Sequence, residues 1–379
     1  MRNTGVHKIV HISSVHDTFD TRILYRECVG LHQRGYDVTL VTTGDRDFDF
    51  EGVRVVVVPR REGRFSRIVR TGLGVVRRAI REQGDVYHFH DPELLGWARL
   101  LRATGTPVVY DMHENVPKSL MDKHWIPKWL RPLVGQAYRA IERTLLRGMP
   151  VVLAETSYSV DYDWLDAKAI VLNYPIVEDV AALKPSQSWE VPMVGYVGGI
   201  SPERGSLVLL EAIGSLQRDG VGVGLAMVGP FVSEAHREEL DRYICDHRVR
   251  HVRFFGRLPS HEALSVMAGC SVGAAVLQPI ANYLESYPTK VFEYMALGIP
   301  VIASNFDLYR SVVETHGCGV CVDPTDPSRV AVALRSLIKD RASAAVMGLR
   351  GRAAVVESYS WAGQRDVLEN LYATVLSAL

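Results

Sequence analysis

The sequence predicts an α/β protein of two parallel-sheet domains, and three observations carry that prediction. A chain of 379 residues is long for one ordinary domain and suits two of about 180 residues each. It opens with a strand–loop–helix–strand pattern, HKIVHISS, VHDTFDTR, ILYRECVGLHQRG and YDVTLVTT, the start of a parallel sheet. The same pattern restarts in the middle of the chain with PMVGYVGGISPERGSLVLLEAIGSL.

The composition suits this reading. Hydrophobic residues make up 47% and charged residues 23%, as in globular proteins with sizeable cores. Lys plus Arg and Asp plus Glu number 43 each, so the overall charge does not argue for a nucleic-acid partner. MRNTGVHKIVHISS lacks an apolar run of signal-peptide length, and no stretch approaches the ~18 apolar residues of a membrane span. A cytoplasmic protein with reduced thiols is therefore expected. Cys318 and Cys321 form a CxxC, but GCGVCVDP reads as a strand end rather than a redox helix start.

In open parallel sheets ligands sit at the carboxyl ends of strands, which places the loop from Ser13 to Arg22 at a crevice. Asp17, Asp20 and Arg22 there suit either a loop salt bridge or contact with a substrate. DRDFDF at 45–50 reads as a solvated turn. Residues 54–81, rich in arginine with VVVV, FSRIV and LGVV interleaved, read either as a basic helix on a membrane surface or as an ordinary solvated face. DVYHFHDPELL and TPVVYDMHENVP load two strand tips with His88, His90, Asp91, Asp111, His113 and Glu114, good material for a crevice. The histidines lack a recognisable ligand spacing, so no metal site is expected. Residues 121–148 suit either an interfacial helix or one packed on the sheet. LNYPIVED and the following polar stretch mark the linker, giving expected domains at 1–175 and 176–360 with a last helix over 361–379.

In the second domain Gly198 and Gly199 form a tight turn before a helix, and Arg204 supplies a counter-charge for phosphate. The glycine spacing does not fit G-x-G-x-x-G, and the next strand lacks a ribose-binding acid, which disfavours a dinucleotide-dependent dehydrogenase. The chain's organising stretch is ESYPTKVFEYMALGIPVIAS, residues 285–304. Pro288 suits a helix start, Gly298 a helix stop, and IPVIAS a buried strand. The backbone N–H groups of Thr289, Lys290 and Val291, with the Lys290 charge, form an anion pocket between Glu285 and Glu293. Two hydroxyl-binding carboxylates flanking a phosphate site describe a nucleotide-sugar.

Glu285-(x7)-Glu293 with the following YMALGIPVIAS resembles the signature of the retaining glycosyltransferases of family 4, which have the GT-B fold of two Rossmann-like domains. The best-matched part is residues 190–325. The resemblance implies that Glu293 holds the ribose hydroxyls and that Glu285 faces the donor sugar and steadies its developing positive charge. It implies that Arg204 and Lys290 neutralise the departing diphosphate without a metal, and that His113 bonds the sugar's 6-hydroxyl. Gly256, Arg257 and Leu258 correspond to a loop that reads the base through its backbone. The phosphate turn of the family usually carries an Arg and a Lys; Arg204 matches the second, while the first falls at Gly199. The loop after the first strand is usually glycine-rich, unlike HDTFDTR.

The expected activity is retaining transfer from a nucleoside-diphosphate sugar, UDP-linked ahead of GDP-linked, to a glycan or lipid-linked glycan in bacterial surface polysaccharide synthesis. Peripheral contact with the cytoplasmic face of the inner membrane goes with that acceptor, and no cofactor is required. The alternatives are a UDP-sugar 2-epimerase-type isomerase and a soluble glycogen-, sucrose- or small-molecule-directed transferase.

Overall fold

The computed structural model describes residues 6–60, 63, 67–122 and 126–377. Lys123, His124 and Trp125 of the 121–148 stretch, and residues 61, 62 and 64–66 of the 54–81 stretch, lie outside the described residues. The chain divides into two compact units, residues 1–173 with 362–379 and residues 174–361.

Unit 1 is built on an eight-stranded sheet. Its strands are β1 (Lys8–Ile12), β2 (Asp37–Thr43), β3 (Phe48–Phe50), β4 (Val53–Val58), β5 (Val86–Phe89), β6 (Val108–Met112), β7 (Val151–Leu153) and β8 (Lys168–Ile170). The order is β3-β4-β2-β1-β5-β6-β7-β8. Every pairing is parallel except β3 with β4. The central strands are buried on both faces, which is why they read as continuous apolar, β-branched runs. β1 leads to β2 on one side, and β5 joins on the other, so the chain reverses direction across the sheet between β1 and β5. Ligands gather at the carboxyl ends of strands at such a switch point.

Two expectations fail here. DRDFDF is not a solvated turn: its last three residues form edge strand β3, antiparallel to β4. Glu51 and Gly52 both adopt positive φ, 47° and 84°, which suits the two-residue hairpin connection, and Asp47 accepts a hydrogen bond from the Val57 amide at 2.9 Å. Residues 54–58 are strand rather than basic helix. The helix Gly72–Glu82 buries Val75, Val76 and Ala79 in the core of the unit, so its apolar face is covered by protein.

The expected helix after the first loop begins with a wide π-helical segment, Thr21–Cys28, and continues as Val29–Gln33. Asp20 caps it, accepting from the Arg22 and Ile23 amides at 2.8 and 3.0 Å. The segment turns Arg22 and Glu27 inward, and both are buried. The helix Trp361–Ser377 supplies its residues from 362 onward to unit 1, where Leu368 and Tyr372 are fully buried.

Unit 2 carries six parallel strands, β9 (Met193–Val197), β10 (Gly224–Val228), β11 (Val252–Phe254), β12 (Val272–Ala275), β13 (Val301–Ser304) and β14 (Gly319–Val322). Their order is β11-β10-β9-β12-β13-β14, with the switch point between β9 and β12. The organising stretch folds largely as its residues predict. Thr289–Leu297 is a helix closed by Gly298 at φ 75°, and β13 follows. Pro288 stands one residue earlier than expected, as the extended residue before the first turn. Cys318 and Cys321 are free thiols in and beside β14. No helix among the described residues is long and apolar enough to cross a membrane.

Candidate functional site

The switch point of unit 2 brings the predicted phosphate-binding residues together. β9 ends at Val197, and Gly198 follows at φ 130°, a backbone conformation that side chains rarely adopt. A Cβ added to Gly198 would lie 2.9 Å from an Arg204 guanidinium nitrogen, 3.3 Å from Lys290 Nζ and 3.3 Å from the Tyr196 hydroxyl. Two cations from different elements therefore converge on the space that glycine leaves open. Arg204 comes from the short turn Pro202–Arg204, and its Nε donates to the Tyr283 hydroxyl at 3.3 Å. Gly205, at φ 74°, presses against the Val276 carbonyl, so the turn can close onto β12 only without a side chain.

Lys290 is a buried cation of the same site. It is 9% exposed, its Nζ lies 4.1 Å from the centroid of the Tyr196 ring, and that nitrogen has no hydrogen-bond partner among the described residues. Burial first, and then the Arg204 charge, pull its pKa down to about 7, while Glu293 opposes the fall. A buried ammonium beside a second cation, offset only in part by Glu293, favours an added anion at this point.

Glu293 is half-buried on the same helix, and Glu285 is exposed at the end of the short helix Ala281–Leu284. Thr289 and Lys290 give the first N–H groups of the Thr289–Leu297 helix, whereas the Val291 amide already donates to the Pro288 carbonyl at 2.9 Å and its side chain is buried. Gly199 accepts from the Tyr196 hydroxyl at 2.7 Å through its carbonyl. Gly256, at φ 67°, follows β11, and its carbonyl accepts from the Gly229 amide at 2.8 Å. Gly256 and Leu258 are half-buried and Arg257 is exposed, in the loop that follows β11. Tyr196 and Tyr283 were not marked by the sequence, because a tyrosine in or near a strand reads as core.

Unit 1 gathers a second polar set at its own switch point. Asp91, buried after β5, accepts from the Ser13 hydroxyl at 3.0 Å and from the Val15 amide at 3.2 Å, and it pairs with His16 Nδ1 at 2.7 Å. Burial would raise this carboxyl, but His16 and the Ser14 amide outweigh it and hold it at about 2. One acid thereby ties down the loop after β1.

Arg22 grips Asp111 with two hydrogen bonds of 2.8 Å and reaches the Val171 carbonyl at 2.8 Å and Asn173 Oδ1 at 3.0 Å. Of the two roles the sequence left open for Arg22, the structure gives a buried ion pair. Asp17 and Asp20 serve their own loop, accepting from the Phe19 amide and capping the helix. His113 Nε2 meets Asp111 Oδ2 at 2.9 Å and His90 Nδ1 at 3.2 Å, its ring centroid is 4.7 Å from that of His16, and its side chain is 18% exposed. His88 and His90 are fully buried. Beneath them lie His11 and Glu27, also fully buried and not marked by the sequence. In-register pairing of His11 with His88 across β1 and β5 could have revealed the first, and the inward turn of the π-helical segment hides the second.

Residues 184–354 match the family model described as glycosyl transferases group 1, and residues 21–162 match the glycosyl transferase 4-like domain. A phosphatidyl-myo-inositol mannosyltransferase of Mycobacterium leprae is 25% identical over 303 residues, covering 78% of this chain and 74% of that protein. A GDP-mannose-dependent alpha-(1-6)-phosphatidylinositol monomannoside mannosyltransferase of Mycobacterium tuberculosis is 30% identical over 181 residues, 45% of each chain. The sucrose-phosphate synthase of Thermosynechococcus elongatus superposes with a TM-score of 0.74 at 18% identity, covering 98% of this chain and all of that one, a likeness of fold. With two parallel-sheet units of GT-B type, each matched by a transferase model, the chain belongs to the family 4 glycosyltransferases and is an enzyme that uses a nucleotide-sugar donor.

Proposed function

We propose that the protein transfers a hexose, with retention and without a metal, from a nucleoside-diphosphate sugar to a lipid-linked glycan acceptor. The observation that carries the reading is the convergence of Arg204 and the unpartnered Lys290 ammonium on the open space at Gly198. Two fixed cations at that point neutralise charge building on the leaving diphosphate, the task a metal performs elsewhere. Glu293 takes the ribose hydroxyls, and Glu285 steadies the positive charge at the anomeric carbon. His113 takes the sugar's 6-hydroxyl, and the backbone at Gly256–Leu258 takes the base. Acceptor attack on the leaving-group face, with the donor phosphate receiving the proton, gives retention without an enzyme nucleophile.

A lipid-linked acceptor is favoured by one surface of unit 1. Trp129, Leu133 and Ile141, 80%, 63% and 60% exposed, line the start and one side of the helix Arg131–Leu146 at helical spacing, with Lys128, Arg139, Arg143 and Arg147 exposed around them. Apolar side chains among basic ones suit a membrane surface of anionic lipid. Such a surface fits a peripheral enzyme of surface-polysaccharide synthesis on the inner membrane. The name of the Mycobacterium tuberculosis relative puts GDP-mannose among the donors in competition, beside the UDP-sugar favoured on sequence.

The test is product analysis. Purified protein is given UDP- and GDP-hexoses and a lipid-linked acceptor without added metal, and the new linkage is read by NMR. An axial donor bond kept axial in the product supports the proposal. An inverted linkage, or sugar isomerised in the absence of acceptor, contradicts it.

A further inference from the structure

The geometry points to a structural binding site for one divalent ion of the zinc class in the core of unit 1, formed by His11, Glu27, His88 and His90. The four side chains are fully buried, and each offers one ligand atom within 4.8 Å of all the others. Glu27 Oε2 lies 3.7 Å from His11 Nδ1, 3.9 Å from His88 Nδ1 and 3.9 Å from His90 Nε2, and His11 Nδ1 is 2.9 Å from His90 Nε2. An ion held tetrahedrally at about 2.1 Å keeps its ligands about 3.4 Å apart, in the middle of that spread.

His90 Nδ1 faces Asp111 Oδ2 at 3.1 Å and so carries a hydrogen, which leaves Nε2 as an acceptor for His11 Nδ1. The Tyr372 hydroxyl and His88 Nδ1 share a hydrogen bond at 2.5 Å, and His88 Nε2 has no hydrogen-bond partner among the described residues. Neither oxygen of Glu27 has a hydrogen-bond partner of good geometry among the described residues. Its one compensating charge is Arg22 Nε, 3.0 Å from Oε1, on a guanidinium already committed to Asp111. The Glu27 carboxyl, ringed by three imidazole nitrogens, thus shares its one nearby cation with Asp111.

The surroundings match the second shell of a metal site. His90 Nδ1 is held by the Asp111 carboxylate, as metal-bound histidines are held, and His11 Nε2 meets the Tyr372 hydroxyl at 3.5 Å. The ion ties together β1, β5 and the Thr21–Cys28 segment, directly beneath Asp111 and His113. It has no part in the transfer chemistry, and the inference stands apart from the proposed reaction.

The test is elemental analysis of the full-length protein, produced with added zinc and purified through a tag free of histidine, followed by cobalt substitution. The expected result is about one equivalent of zinc. Cobalt should then give the visible absorption of a four-coordinate nitrogen and oxygen site. Glu27→Gln and His88→Gln should each weaken cobalt binding more than about 100-fold. His113→Asn should retain the ion, which separates this set from the neighbouring His90, Asp111 and His113. Should the Glu27 and His88 variants fail to fold, wild-type stoichiometry and spectrum decide alone. Wild-type protein that takes up neither zinc nor cobalt overturns the inference, as does an ion that survives Glu27→Gln or is lost in His113→Asn.

Discussion

Lys290 shows how burial and function are linked in one side chain. Its pKa of about 7 in the folded protein lies below the ordinary 10.5, so between those values the unfolded chain holds the extra proton. This group therefore makes the free protein more stable as pH rises through that window. A bound diphosphate favours the charged amine, so nucleotide binding runs the other way. Affinity for a nucleoside diphosphate should fall above pH 7 by up to about tenfold per pH unit, measured by titration calorimetry. Lys290→Met should remove this dependence and lower affinity, while the melting temperature of the free protein holds or rises. Gly198→Val should abolish nucleotide binding, because its side chain would fill the space between Arg204 and Lys290. Arg22→Met leaves Asp111 charged and buried, and should cost about 3–5 kcal/mol in a denaturant titration. The glycines and Lys290 were legible because their spacing is a motif. The partners of Asp111 were not, since contacts across 89 positions of sequence leave no local trace.

At the scale of elements, period and punctuation made the Thr289–Leu297 helix and β13 readable: Pro288 before, Gly298 after, then a β-branched run. The π-helical start at Thr21 was not readable, because its amphipathic pattern is that of any helix and the wide turn depends on where Arg22 and Glu27 find partners. Edge strand β3 was hidden by its aspartates, which face solvent or cap the hairpin rather than forming a turn. The helix Arg131–Leu146 could be read two ways, and its exposed Trp129, Leu133 and Ile141 favour the membrane. Replacing Leu133 and Ile141 by Gln should reduce co-sedimentation with anionic vesicles several-fold without lowering the melting temperature. An unchanged bound fraction would leave the helix an ordinary exposed face.

At the scale of the whole molecule, the repeat of strand, turn and helix near Met193 announced two parallel sheets, and the sheet orders bear that out. The course of the last helix depends on tertiary packing rather than on its own pattern: Leu368 and Tyr372 are buried, and the Tyr372 hydroxyl meets His88, 284 positions earlier. Ending the chain at Trp361 should lower the unfolding temperature of unit 1 markedly in calorimetry. The central claim is that the space between Arg204 and Lys290 holds the diphosphate of a nucleotide-sugar donor. It is tested most directly by titrating UDP and GDP into wild-type protein and Lys290→Met without added metal. Binding of one nucleotide to the wild type, and its weakening by at least about tenfold in the variant, is the predicted result, since a buried charge-assisted contact is worth about 1.5–3 kcal/mol. Equal binding by both proteins, or none by the wild type, would contradict it.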